Sequence, residues 1–158
     1  MSPLLQGGST LVIAASIIGA LIGGYASDWK FGGRRMPVVC VSFLSVAGGL
    51  TILVFSTHYA VIAACLLMQS FGGIGAIHSM LTGAAAMDVG GEKATSSAAG
   101  LFDGAQYAGG ALAGIVLGTL IDAFGWSIWV LSMIVFAVIG GGLAGLFWKA
   151  HLAMGHSR

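Results

Sequence analysis

The chain has 158 residues, 58% of them hydrophobic and only 7% charged, and its six Lys/Arg against five Asp/Glu leave a formal net charge of +1. Soluble domains carry about 25% charged residues because their surfaces face water, so a mean hydropathy of +1.00 turns this surface toward lipid. So small a net charge excludes a polybasic face for nucleic acid or for peripheral membrane attachment, and no nucleic-acid partner is expected.

A spanning helix needs about 20 apolar residues to cross roughly 30 Å of hydrocarbon. Five such segments nearly exhaust the chain, which predicts an all-α polytopic membrane bundle with no room for a soluble domain. Residues 1–8 carry no positive charge and no small-residue cleavage pattern follows them, so a cleaved signal peptide is not expected. The first helix is predicted over 5–27. It is followed by the charged loop Asp28-Trp29-Lys30-Phe31-Gly32-Gly33-Arg34-Arg35. Pro37 opens the second span, 37–56, since proline is tolerated in a first helical turn, and Thr57-His58-Tyr59 makes a short uncharged link. The third span, 60–87, exceeds what a bilayer requires and is predicted to tilt or break at Gly72-Gly73. Polar residues 88–95 end it. The fourth span covers 96–122, the turn Phe124-Gly125-Trp126 follows, and the fifth covers 127–148 before a short tail.

The 27 glycines lie mostly within apolar runs, where small residues let membrane helices approach closely. Gly110, Gly114 and Gly118 recur at every fourth position and predict a crossing with the second or fifth helix; Gly19 and Gly23 serve the first helix in the same way. Cys40 and Cys65 read as small buried hydrophobes and say little about compartment.

Lys30, Arg34 and Arg35 fall in the first loop, Lys93 in the third, and Lys149 and Arg158 in the tail, whereas the second and fourth loops have none. Cytoplasmic loops are enriched in lysine and arginine. The N-terminus is thus expected outside and the C-terminus in the cytoplasm, with Trp126, Trp129 and Trp148 at the two interfaces of the last helix. An odd number of spans ending inside predicts further helices upstream.

The first loop, Gly24-Tyr25-Ala26-Ser27-Asp28 and then Gly33-Arg34-Arg35, places a carboxylate at a helix end beside fixed arginines. Such groups bond in one conformation and separate in another, which suits a gate; an ordinary positive-inside loop is the alternative. The loop resembles the signature loop of the major facilitator superfamily, G-x-x-x-D-[RK]-x-G-[RK]-[RK]. It departs by two extra residues after Asp28 and by Trp29 where a basic residue is usual. This longer form is similar to the loop in the C-terminal half of organophosphate:phosphate antiporters, the glycerol-phosphate and hexose-phosphate transporters. The stretch from His78 through Asp88 to Gly91, with Lys93-Ala94, Ala98-Ala99-Gly100, Asp103-Gly104 and Tyr107-x-Gly109-Gly110, is similar to that family's tenth-to-eleventh helix region. Asp122-x-Phe124-Gly125-Trp126 resembles its next turn.

This resemblance runs from Gly19 to Trp148 and implies that the spans are helices eight to twelve of a twelve-helix fold, five helices forming most of one half. The N-terminal half is absent from the chain, and of the first and seventh helices, which hold the family's phosphate-binding arginines, the chain contains neither. Implied for the full-length parent is secondary active transport in the inner membrane, exchanging an organophosphate for inorganic phosphate by alternating access. Gly24, Asp28, Gly33, Arg34 and Arg35 would gate the cytoplasmic side. The alternatives are a membrane sugar-phosphate sensor of the same family, acting through a partner kinase, and an inactive truncated product. Partners implied are the lipid bilayer, a small phosphorylated metabolite with phosphate, and the missing N-terminal helices. No enzymatic activity and no cofactor is expected.

Ionisable or polar groups inside a bilayer usually face a cavity or a protein partner. The second and fifth spans hold no ionisable residue in their cores, while the third holds Gln69 and His78 and the fourth holds Asp103, Gln106 and Tyr107. The last three sit at i, i+3 and i+4 on one helical face, and His78 lies at a depth comparable to Tyr107. Contact with a hydroxylated or phosphorylated substrate and bonding between helices both fit this set; Asp103 is better suited to structure or gating, because a carboxylate repels an anion. The run from Asp88 to Lys93 lacks the P-loop pattern, and His151 and His156 are too isolated for a metal site.

Overall fold

The computed structural model describes residues 3–56 and 58–155. Its elements are α1 (Pro3–Phe31), α2 (Met36–Phe55), α3 (Tyr59–Gln69), a π-wound segment (Ser70–Ala84), α4 (Ala85–Phe124) and α5 (Ile128–Gly155). Among the described residues there is no strand, and the long apolar runs Thr10–Phe31, Met36–Phe55, Tyr59–Phe124 and Ile128–Lys149 are each long enough to cross a bilayer. The chain is a polytopic helical membrane bundle.

The first helix runs past its predicted end at residue 27 because nothing interrupts it before Gly32 and Gly33. Those two glycines take φ of 59° and 81°, values that cost a side chain and suit glycine. Reversing the chain there lets the Gly33 N–H donate to the Ser27 carbonyl at 2.9 Å. Pro37 sits in the first turn of α2, where its missing N–H has no partner to lose. The last helix continues to Gly155 rather than ending at 148; the His151 side chain, His156 and Arg158 lie outside what the structure describes.

The third span does not break at Gly72-Gly73. It stays helical and widens into a π-helix, closing with the Ala85 N–H on the Met80 carbonyl five residues back. Glycine there is a point of contact. A Cβ on Gly72 would stand 3.0 Å from Ser45 Oγ and 3.2 Å from Val46 Cγ2 of α2. The break comes instead at Gly91, whose φ of 56° and ψ of −166° interrupt α4, so the 66-residue run Tyr59–Phe124 is divided there and is long enough for two crossings. The predicted polar loop 88–95 is thus one non-helical residue, and the fourth span begins before residue 96. Just beyond, Thr95 Oγ1 donates to the Gly91 carbonyl. This backbone region is nearly exclusive to glycine and costs other residues about 1–3 kcal/mol. Gly91→Ala is therefore expected to lower stability by about that amount, read as an earlier unfolding midpoint in detergent.

The core is small and lies along α2. Val38, Val39, Val46 and Leu50 meet Ile77 and Met80 of the π-wound segment on one side and Ala137 and Ala144 of α5 on the other. α1 lies against the π-wound segment, where a Cβ on Gly19 would collide with the Phe71 carbonyl and a Cβ on Gly23 would sit 3.1 Å from Ala76 Cβ. Beyond Gly91, α4 reaches the π-wound segment through the hydrogen bond between Gln106 and His78. The crossing predicted at Gly110, Gly114 and Gly118 is not made: a Cβ at any of the three would meet nothing within 4 Å.

Candidate functional site

The bundle gathers its described basic residues at one end. An ion pair from Arg35 to Asp88 joins the first loop to the start of α4, and Phe31 packs edge-on against Trp148 at 6.3 Å, bringing the α5 end with Lys149 to the same level.

Arg35 is the centre of this end. Its Nη1 donates to Asp28 Oδ1 at 2.6 Å and to Ser27 Oγ at 3.1 Å, while its Nε donates to Asp88 Oδ2 at 3.3 Å. Ser27 is fully buried and donates in turn to the Arg34 carbonyl at 3.1 Å. One guanidinium thus ties together the end of α1, the start of α2 and the start of α4. Its planar fork allows this, whereas a lysine ammonium is a point charge. The Arg35 side chain is only 19% exposed, but Asp28 and Asp88 are 68% and 51% exposed. Each pair is therefore screened and worth about 1 kcal/mol or less.

Of the predicted gating residues, the structure brings Asp28 and Arg35 into contact. Gly33 supplies the turn, Gly24 lies 3.8 Å from Met80 Cε as a Cβ would be built, and Arg34 contributes its carbonyl while its side chain is exposed. Ser27 and Asp88 belong to the same network and had no place in the predicted site. The available signal for Asp88 was a carboxylate ending the third span on the membrane side of the basic loop.

A second polar group lies between the π-wound segment and α4. His78 Nδ1 is 3.1 Å from Gln106 Oε1, so with the amide in this orientation the ring N–H donates, and Thr82 Oγ1 donates to the His78 carbonyl at 2.9 Å. Asp103 is one turn before Gln106 on the same helix, and its Oδ1, like Gln69 Oε1, is buried without a hydrogen-bond partner among the described residues. A buried unpaired acceptor costs about 1–3 kcal/mol, which makes both oxygens places where a further donor would be gained. Tyr107 is 76% exposed. Of the five predicted cavity residues only His78 and Gln106 are thus bonded to each other.

The chain is similar to the membrane sensor protein UhpC of Escherichia coli (strain K12), 31% identical over 121 residues that make up 75% of this chain and 27% of that protein. It is also similar to the membrane sensor protein UhpC of Salmonella typhimurium, 31% identical over 113 residues, 70% of this chain and 25% of the relative. The chain spans about a quarter of the length of these curated relatives. No family model matches it, and no solved structure does. The chain is a multi-pass helical membrane protein that is similar over about three quarters of its length to a membrane sensor protein.

Proposed function

We propose that this chain supplies helices eight to twelve of a major facilitator protein in the inner membrane that recognises a phosphorylated sugar and reports it as a sensor. The observation that carries the reading is the Arg35 clamp, one cation holding Asp28 at the end of α1 and Asp88 at the start of α4 in a sequence with the family-like motif order. The relatives' description as membrane sensors favours sensing over transport. In this reading the basic end faces the cytoplasm and the N-terminus faces outside, as the distribution of lysine and arginine supports. The clamp holds that face closed and ligand occupancy biases it.

His78 and Gln106 are the groups on this chain placed to bond sugar hydroxyls, while the phosphate requires arginines from helices that these residues do not include. Asp103 stays apart from the anion and orders the wall. A second reading, exchange of an organophosphate for phosphate, rests on the longer form of the Asp28-to-Arg35 loop.

Two measurements on the complete twelve-helix assembly separate the readings. Sensing predicts hexose-phosphate-dependent output from the partner kinase with no phosphate counterflow in proteoliposomes. Exchange predicts labelled phosphate released against external hexose phosphate. Normal insertion with neither output rejects both and leaves the truncated product.

A further inference from the structure

Between α2 and α5 the outer surface opens into a groove of 570 Å³, with Gly141, Gly142 and Gly145 on the α5 side and Leu44 on the α2 side. The glycines leave depth where side chains would fill it. At the basic end of the bundle the groove runs to Trp148 and Lys149. Trp148 also lines a second pocket of 340 Å³, whose lining includes Arg34 and Arg35. An apolar trough and a pocket that holds Arg34, Arg35 and Asp88 therefore share one indole. Arg35 is engaged by Asp28 and Asp88, whereas Lys149 and Arg34 have no ion-pair partner among the described residues.

We propose that this joined groove is a binding site for an anionic phospholipid, with an acyl chain in the trough and the headgroup phosphate at the Lys149 and Arg34 end. Charge complementarity selects the occupant. The flanking surface is apolar and exposed, with Leu44 at 55% and Leu146 at 65%, which suits an acyl chain. Basic pockets beside membrane helices favour anionic headgroups over zwitterionic ones, and an indole sits well at headgroup depth. A second copy of the chain fits less well. Across a two-fold axis equivalent surfaces meet, so Lys149 would approach Lys149. Asp28 and Asp88 are already paired with Arg35, so neither is free to meet the Lys149 of a second copy.

The test uses the full chain with Trp29→Phe, Trp126→Phe and Trp129→Phe, so that Trp148 alone reports, in phosphatidylcholine vesicles containing brominated phosphatidylglycerol or brominated phosphatidylcholine. Quenching is expected at a lower mole fraction of the anionic lipid, by about fivefold for each basic residue engaged. Lys149→Gln and Arg34→Gln should each remove one such factor at unchanged helicity. High salt should collapse the preference in the unsubstituted background, a readout that needs no variant at Arg34 or Lys149. Equal quenching by the two brominated lipids overturns the proposal. So does weak quenching accompanied by Cys40-to-Cys40 cross-linking in a Cys65→Ser background, since Cys40 lines the groove and the occupant would then be a second copy.

Discussion

Arg35→Gln is expected to open the basic end of the bundle by a factor of about 5 to 30 in the ratio of open to closed forms. The substitution removes a guanidinium bonded to Asp28, Ser27 and Asp88 and leaves both carboxylates without their cation. Hydrogen bonds to charged groups contribute about 1.5–3 kcal/mol when well shielded, but both carboxylates are more than half exposed, so the sum is discounted to about 1–2 kcal/mol. A difference of 1.4 kcal/mol is about tenfold in an equilibrium constant, which sets the range. The readout is the rate at which an impermeant maleimide labels Ala85→Cys, a position lining the pocket beside Arg35, in a Cys40→Ser, Cys65→Ser background. Arg35→Lys should give a partial increase, because an ammonium cannot span both carboxylates with fixed geometry.

The two arms of the clamp should not contribute equally. Asp28 is seven residues from Arg35 and Asp88 is 53 residues away, so the longer bond is the one that closes distant segments. Asp88→Asn is therefore expected to raise labelling more than Asp28→Asn, despite its 3.3 Å distance against 2.6 Å. Raising salt should speed labelling of the unsubstituted protein and leave Arg35→Gln almost unaffected, since screening acts on a pair already lost. Unchanged labelling in both Arg35→Gln and Asp88→Asn would remove the clamp as a gate.

Local chemistry explains what could be read before the structure. Spans were legible because bilayer thickness sets their length, and the Asp28-to-Arg35 half of the clamp was legible because both partners lie in one loop. Asp88 was not, because its pairing depends on how the third span returns beside the first loop. The break was misplaced for a related reason. Gly72-Gly73 and Gly90-Gly91 are alike as sequence, and only the wall of α2 around Gly72 and the positive φ at Gly91 tell them apart. Likewise the spacing of Gly110, Gly114 and Gly118 shows that a close approach is permitted there without naming a neighbour, and no described residue comes within 4 Å of a Cβ built at any of them. His78 and Gln106 were legible as polar groups at similar depth; their bond required the two helices to be set side by side.

The seam between α1 and the π-wound segment is where a single added methyl group should do the most harm. A Cβ on Gly19 would collide with the Phe71 carbonyl oxygen and lie 2.8 Å from its carbon, and a Cβ on Gly75 would collide with the Ser16 carbonyl and lie 3.0 Å from both Ala20 N and Gly19 Cα. These obstacles are backbone atoms, so no rotamer change relieves them and the helices must separate. Overpacking a tight contact costs about 1–3 kcal/mol, and with backbone on both sides Gly19→Leu and Gly75→Val are expected at or above the upper end. Gly23→Ala should cost less, because it meets the Ala76 side chain at 3.1 Å. Gly110→Leu supplies the contrast, since its Cβ would meet nothing within 4 Å. Titration with a denaturing detergent, followed by helicity and tryptophan emission, should therefore rank Gly19→Leu and Gly75→Val lowest, Gly23→Ala between, and Gly110→Leu near the unsubstituted protein. Membrane helices associate through such close packing, since lipid supplies little hydrophobic drive between them. Displacing α1 also carries Asp28 away from Arg35, so Gly19→Leu should raise Ala85→Cys labelling as Asp28→Asn does. Equal midpoints for Gly19→Leu and Gly110→Leu would show that the seam does not hold the bundle together.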